Sequence, residues 1–354
     1  MQATYDADAR IVRATGDARQ RFYDSRGYGR PTGDGGLQLA PVEAAHLLHR
    51  GDLDAVVVDG VELGFREFLS LTSAVLEFVV YKDLRDRGFY LSPAERSSAS
   101  AEDADHVDFV VYPRGSGPWS DEVEHRVRVV GERESVAAGT LGDVVLAVVD
   151  EDGDLTYFET AADGPNGSLD RAPPSDLSGT LLADRVLVWD PPEPLYEAQF
   201  YGQRLYGRNA DSGPLQLSLL EAAALAQRGA LTVSTSDGSP TQGADAVVAR
   251  GREVEGERFD RRLAIYTALR DDGGVPKSGF KFGADFRVYE SFTSVSELSH
   301  SDSLVRVVTA DHTFFPRDLS LDVRLASGVR KRMVFALTDA NGGVDWLSVA
   351  RLTP

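Results

Sequence analysis

The sequence predicts a mixed α/β (α+β) protein made by tandem duplication of a two-part unit. Three observations predict it. First, "RFYDSRGYGRPTGDGGLQLAPVEAAHLLHRG" (21–51) aligns with "QFYGQRLYGRNADSGPLQLSLLEAAALAQRG" (199–229) at a constant offset of 178. The offset matches Phe22 with Phe200, Tyr23 with Tyr201, Tyr28 with Tyr206, Arg30 with Arg208, Glu43 with Glu221 and Gly51 with Gly229. Second, "YKDLRDRG" (81–88) answers "YTALRDDG" (266–273), "DFVVY" (108–112) answers "DFRVY" (285–289), and "VRVV" occurs at 127–130 and again at 305–308. Third, the stretch between the copies, "ADGPNGSLDRAPPSDLSG" (162–179), is rich in Pro, Gly, Ser and Asp and reads as an exposed linker.

Each copy splits again. Its first part has a short strand pair around "GLQL" or "PLQL" and a helix from Pro41 or Ser218. A β-rich stretch such as "AVVVDG" follows. A second helix, over about 64–87 or 258–271, ends at Gly88 or Gly273, where a C-terminal glycine is expected. The second part reads strand, strand, helix, strand, strand. In copy two these are 284–290, 303–310, a helix near 316–329, 332–338 and 344–350. That helix is read from Pro316 at its start, the polar "RD" of its first turn, and Leu319, Leu321, Val323, Leu325 and Val329. The expected division is 1–88 and 89–161 for copy one, 162–180 for the linker, and 181–257 and 258–354 for copy two.

Composition bounds the function. The 354 residues suffice for two or more cores. No window approaches the ~18 apolar residues of a membrane span, and the N-terminus lacks the apolar run of a signal peptide. The absence of Cys excludes disulfides, thiolate metal sites and a Cys nucleophile. A soluble, cytoplasmic protein is expected.

The net charge of −19 argues at first against nucleic acid. Yet only Lys82, Lys277, Lys281 and Lys331 are lysines among 37 basic residues. Abundant Asp and Glu with almost no Lys is the composition of proteins from a salt-saturated cytoplasm, so the acidity reflects solvent. The charge is also uneven. Residues 261–354 carry 13 Arg and Lys against 11 Asp and Glu, a net of +2, and the rest of the chain carries −21. An anionic ligand is expected at that last module.

Comparing the copies singles out candidates. Tyr289 has a partner in Tyr112, His300 aligns with Glu122, and Lys331 falls opposite a position near Gly142. Copy two therefore holds Tyr, His and Lys, and copy one only Tyr. Taken singly, the ordinary readings are a packed strand tyrosine, a surface histidine and a solvated lysine. Together they suit cleavage of RNA through its own 2′-OH. That reaction needs a base for the 2′ proton, an acid for the leaving 5′-oxygen and a cation near phosphorus. His can be the acid near neutral pH. Tyr is a poor base at a reference pKa of about 10 unless cations lower it. No metal or cofactor is expected. His46, His49, His106, His125 and His312 read as structural, the first two on a helix and the others in loops.

At these residues the chain resembles the archaeal tRNA-intron splicing endonucleases, in their two-repeat form. The resemblance rests on "GFKFGADFRVY", on His300 in "HSDSLVRVV", and on Lys331 in "GVRKRMVFAL", and it covers nearly the whole chain. It implies a nuclease-like second part in each copy, the first one catalytically inactive. Tyr289 would be the general base, His300 the general acid and Lys331 the transition-state stabiliser. The substrate would be the bulge-helix-bulge of precursor tRNA, recognised by shape, and the products a 2′,3′-cyclic phosphate and a 5′-hydroxyl. Arg324 and Trp346 would stack on a splayed bulge base; the ordinary reading of Trp346 is a core aromatic. The chain would act as a homodimer, with the acidic loop at Asp150, Asp152 and Asp154 docked on the partner's catalytic module; its ordinary reading is a solvated turn. Two other readings are open. A non-catalytic RNA-binding or structural subunit would not need the trio. A metal-dependent nuclease would want clustered acids, and only Asp285 and Glu290 flank one strand.

Overall fold

The computed structural model describes the chain except residues 34, 97–105, 208–211, 237, 240 and 242. Arg208 of the repeat alignment thus lies outside the described residues. The chain divides into two compact units. One is Met1–Ala161 with Thr313–Ser320 and Ala350–Pro354; the other is Ala162–His312 with Leu321–Val349. Each has its own apolar core. No helix among the described residues is long and apolar enough to cross a membrane.

In the first unit one sheet runs Arg30–Pro31, Leu37–Leu39, Ile11–Ala14, Gln2–Asp6, Ala55–Val58, Val61–Leu63 in spatial order. The helix Pro41–His49 follows "GLQLA" as expected, with Pro in its first turn and Glu43 closing its N-terminus. A second set of strands runs Leu91–Pro93, Phe109–Val111, His125–Gly131, Val144–Val149, Leu155–Ala161. Within it His125–Gly131 and Val144–Val149 are parallel, Val145 opposite Val127.

The second unit repeats both arrangements. Gln203–Arg204, Leu215–Ser218, Arg185–Val188, Leu177–Leu181 and Leu231–Ser234 form its first sheet. The helix Leu219–Gln227 carries a full capping box, with the Ser218 hydroxyl accepting from the Glu221 N–H and the Glu221 carboxylate accepting from the Ser218 N–H. The helices Ala244–Glu255 and Arg258–Asp271 lead to the strands Val275–Ser278, Phe286–Tyr289, Ser303–Thr309, Arg332–Thr338 and Val344–Leu352. Ser303–Thr309 and Arg332–Thr338 are parallel and joined through the helix Pro316–Gly328. The mixed α/β class and the duplicated plan are therefore as the sequence predicts.

Four local expectations need correction. The helix expected over 64–87 is two helices, Phe65–Thr72 and Val75–Asp86, broken where Ser73 takes a left-handed φ of 53°. Thr72 ends the first by turning its hydroxyl back onto the Phe68 carbonyl. Copy one has no helix between its parallel strands, only the single turn Ala138–Thr140. The 132–143 segment is too short for the 13-residue helix of copy two. His125 opens a strand, opposite Val111, instead of lying in a loop. Finally, the 162–179 joint is mostly exposed but pinned. Gly167 and Leu169 donate to the carbonyls of Asp272 and Gly273, and Asp163 pairs with Arg332.

Candidate active site

The strands of the second part of copy two place the predicted trio around one cleft. Tyr289 ends the strand Phe286–Tyr289, which pairs with Val275–Ser278 on one side and Ser303–Thr309 on the other. His300 lies in the loop before Ser303–Thr309, and Lys331 immediately precedes Arg332–Thr338. All three line a cleft of about 510 Å³, together with Phe282 and Arg287.

Each side chain is set by local structure. Beyond the helix Pro316–Gly328, Arg330 adopts a left-handed φ of 57°. This turns the chain so that the Lys331 N–H donates back to the Ala326 carbonyl and the next strand can begin. The Lys331 ammonium donates to the Ser301 carbonyl and sits 5.7 Å from the Phe282 ring. Burial holds its pKa below the ordinary 10.5, opposed by nearby Asp302 and reinforced by Arg287. The His300 loop is tied to the end of the tyrosine strand, where the Glu290 N–H donates to Asp302 at 2.8 Å. His300 itself is exposed. The glycines of "GFKFG" have a mechanical reason. Gly283 at φ 67° closes the turn Phe280–Phe282, which brings Phe282 into the cleft.

Tyr289 is 3% exposed. Its ring packs 5.9 Å from Phe200, which in turn stacks on Phe292 at 5.8 Å and 11°. Phe200 has a φ of 53°, an outlier for a bulky residue, at a cost of about 1–3 kcal/mol. In copy one Tyr112 donates to Ser92 at 3.2 Å. Copy two has Lys277 at the Ser92 position, and Lys277 turns to Glu221.

The other sequence candidates lie outside this cleft. Arg324 is exposed on the helix Pro316–Gly328. Trp346 is half-buried on the last strand, opposite Ala336. Gly164 backs its indole so closely that an added Cβ would come within 2.6 Å of Cγ. Asp150, Asp152 and Asp154 form a hairpin tip in the first unit. Asp285 and Glu290, the acids flanking the tyrosine strand, are both held by cations: Asp285 by Arg258 and Arg262, Glu290 by Arg332. Among the described residues no three His, Cys, Asp or Glu side chains group as metal ligands. The residue that sequence reasoning missed is Arg287. The signal was in the repeat, since "DFVVY" has Val110 where "DFRVY" has Arg287.

Comparison with known proteins decides the family. The description "tRNA intron endonuclease, catalytic C-terminal domain" matches residues 259–346, which contain the whole cleft. The corresponding N-terminal domain matches twice, at 1–69 and 177–245. A tRNA-splicing endonuclease of Haloferax volcanii is 66% identical over 344 residues, covering 97% of this chain and 98% of its own.

The chain belongs to the tRNA intron endonuclease family.

The tRNA-splicing endonuclease of Halobacterium salinarum is 54% identical over 99% of this chain and all of its own. That of Methanosarcina mazei is 37% identical over 96% of each. The protein is accordingly an endonuclease of tRNA splicing. Its haloarchaeal relatives agree with the Lys-poor, acidic composition.

Proposed function

We propose that the enzyme excises introns from precursor tRNA in the cytoplasm by cutting a bulge-helix-bulge at both intron ends. Tyr289 takes the 2′-OH proton, and the 2′-oxygen attacks phosphorus. The bond to the 5′-oxygen breaks as His300 gives that oxygen a proton. Lys331 offsets the charge that builds on the phosphoryl oxygens. The products are a 2′,3′-cyclic phosphate and a 5′-hydroxyl, and the residues need no metal for these steps.

The single observation that carries this reading is the shared cleft. Tyr289, His300 and Lys331 come from three separate stretches of chain and line one concavity. Copy one keeps only the tyrosine. With one such cleft per chain and two intron ends to cut, the working form is a symmetric homodimer.

The test is incubation of pure protein with a bulge-helix-bulge RNA in high KCl plus EDTA, followed by analysis of both product ends. Cyclic phosphate and 5′-hydroxyl ends in chelator are expected. Chelator-sensitive cutting, or 3′-hydroxyl and 5′-phosphate ends, would reject the mechanism.

A further inference from the structure

We propose that Arg287 grips a non-bridging oxygen of the scissile phosphate, as a fourth catalytic residue facing Lys331 across the cleft. This rests on the acid–base reading of the cleft given above.

Arg287 lies two residues before Tyr289, so both side chains stand on one face of the sheet. Its guanidinium carbon is 5.8 Å from the Tyr289 ring centroid, and it lines the same cleft as His300 and Lys331. Across the strand pair it is directly opposite Lys277. Its charge therefore faces two other cations, and it lowers the proton affinity of both.

In a chain with 56 Asp and Glu, such a group would ordinarily take a carboxylate. Lys277 does, pairing with Glu221. Arg287 forms no ion pair among the described residues, and its Nε is buried without a hydrogen-bond partner. A half-buried guanidinium crowded by like charge and lacking an acceptor calls for an anion that arrives from outside. The family reaction brings one to this cleft, and the pentacoordinate phosphorus carries more negative charge on its oxygens than the ground state does.

The repeat gives independent support. Copy one has Val110 at this position, Glu122 at that of His300, and lacks the lysine. Tyr112 is retained there, buried and hydrogen-bonded to Ser92. The arginine is thus absent from copy one together with the histidine and the lysine, and the packed tyrosine is kept. No extra reactant is required. The 2′-oxygen–phosphorus bond forms, the bond to the 5′-oxygen breaks, and Arg287 only donates hydrogen bonds.

The test uses the full-length enzyme with a bulge-helix-bulge RNA in high KCl, comparing Arg287→Gln, Arg287→Lys and His300→Ala. It also uses RNA with each phosphorothioate diastereomer at the cleavage site. Arg287→Gln should lose about 10²-fold or more in kcat, as loss of an oxyanion-type donor does, with little change in KM. Arg287→Lys should recover part of it. For one diastereomer, the oxygen-to-sulfur rate ratio of the native enzyme should fall toward one in Arg287→Gln, because the contact that sulfur weakens is already gone. A native kcat in Arg287→Gln beside an inactive His300→Ala overturns the role of Arg287 alone. A lowered kcat with both thio ratios unchanged also overturns it, leaving Arg287 as packing for Tyr289. A fully active His300→Ala rejects the cleft reading itself and this proposal with it. Should Arg287→Gln not fold, Arg287→Lys decides by its thio ratio: a changed ratio supports the contact, and a native ratio refutes it.

Discussion

The Lys277 ammonium donates to the Glu221 carboxylate at 2.7 Å, and the same nitrogen reaches the carbonyls of Gly202 and Phe200 at 2.9 and 3.2 Å. All three of its protons are used, in surroundings where the two side chains are 12% and 8% exposed. The pair fastens the strand that lies beside Tyr289 to the capping box of the helix Leu219–Gln227. Removing one partner leaves a buried charge without its counterpart. Lys277→Met is expected to cost about 3–5 kcal/mol of stability. Lys277→Met with Glu221→Gln should cost less than the two separate losses together. Denaturant melts in high KCl measure both. Additive losses would mean that the two charges do not depend on each other.

A second prediction concerns pH and the first unit. His46 is 2% exposed, and its Nδ1 lies 2.8 Å from the Tyr28 hydroxyl. Burial, helped by Arg85 and Arg50, pushes its pKa down from 6.5 to about 4. The fold thus keeps His46 neutral where the unfolded chain would bind a proton. Stability from this group is full above pH 6.5 and falls as the pH drops toward 4. Thermal melts across that window should show the decline in the native protein and a shallower one in His46→Leu. Equal slopes would remove His46 as the cause.

Much of this was legible because duplication makes the sequence its own comparison. The strands around the cleft and the helix Pro316–Gly328 are found where apolar pattern and Pro316 put them. What the pattern could not show depends on space. The break at Ser73 keeps apolar residues on both sides, so periodicity runs through it. The grip of Gly164 on Trp346 joins residues 182 positions apart. The strain at Phe200 is invisible because the aligned Phe22 has no left-handed φ and sits in a π-helical turn, Arg19–Asp24, so the two copies differ in backbone where their side chains match. Arg287 was passed over for another reason. On a strand, Arg in place of Val at the same register position reads only as a more exposed site, until a cleft is seen around the arginine.

The catalytic assignment makes a sharp contrast between histidines. His300→Ala and Lys331→Ala should each lower cleavage by about 10² or more, with RNA binding largely kept. His125→Ala should be nearly silent, because His125 opens a strand in copy one. Single-turnover cleavage with a parallel binding assay gives the answer. Equal damage at His125 and His300 would be incompatible with one active cleft per chain.

The proposed bulge contact can be tested through its backing. Arg324→Ala and Trp346→Ala should each weaken productive binding by about 1–3 kcal/mol per stacked base, and less than additively because they share one base. Gly164→Ala should reproduce part of the Trp346 loss without touching RNA, since its methyl would displace the indole. A full double-mutant cycle on cleavage at low RNA concentration separates these cases. Full additivity of Arg324 and Trp346 would rule out a shared base.

The acidic loop supplies the last prediction. In the hairpin tip of copy one, Asp150 Oδ1 accepts from the N–H groups of Asp152 and Asp154 at 3.0 and 2.8 Å. In copy two, Asp339 Oδ1 accepts from Asn341 and Gly343, both at 2.7 Å. The two tips are built by the same turn, so Asp150 has a local structural task. Glu151 pairs with Arg133. The carboxylates of Asp152 and Asp154 remain exposed with no partner among the described residues, and copy two has no such charges at its tip. If the loop docks on the basic module of a second chain, these two carry the contact. Surface pairs alone contribute little, so docking demands that they become partly buried there. Asp152→Ser with Asp154→Ser should shift the protein toward monomer in size-exclusion chromatography at high KCl and cripple cleavage, with the thermal melt of each chain unchanged. Asp150→Ser should instead loosen the hairpin and lower the melt. A double variant at Asp152 and Asp154 that remains a fully active dimer would show that the tip is a solvated turn, and that copy one is retained for some other contact.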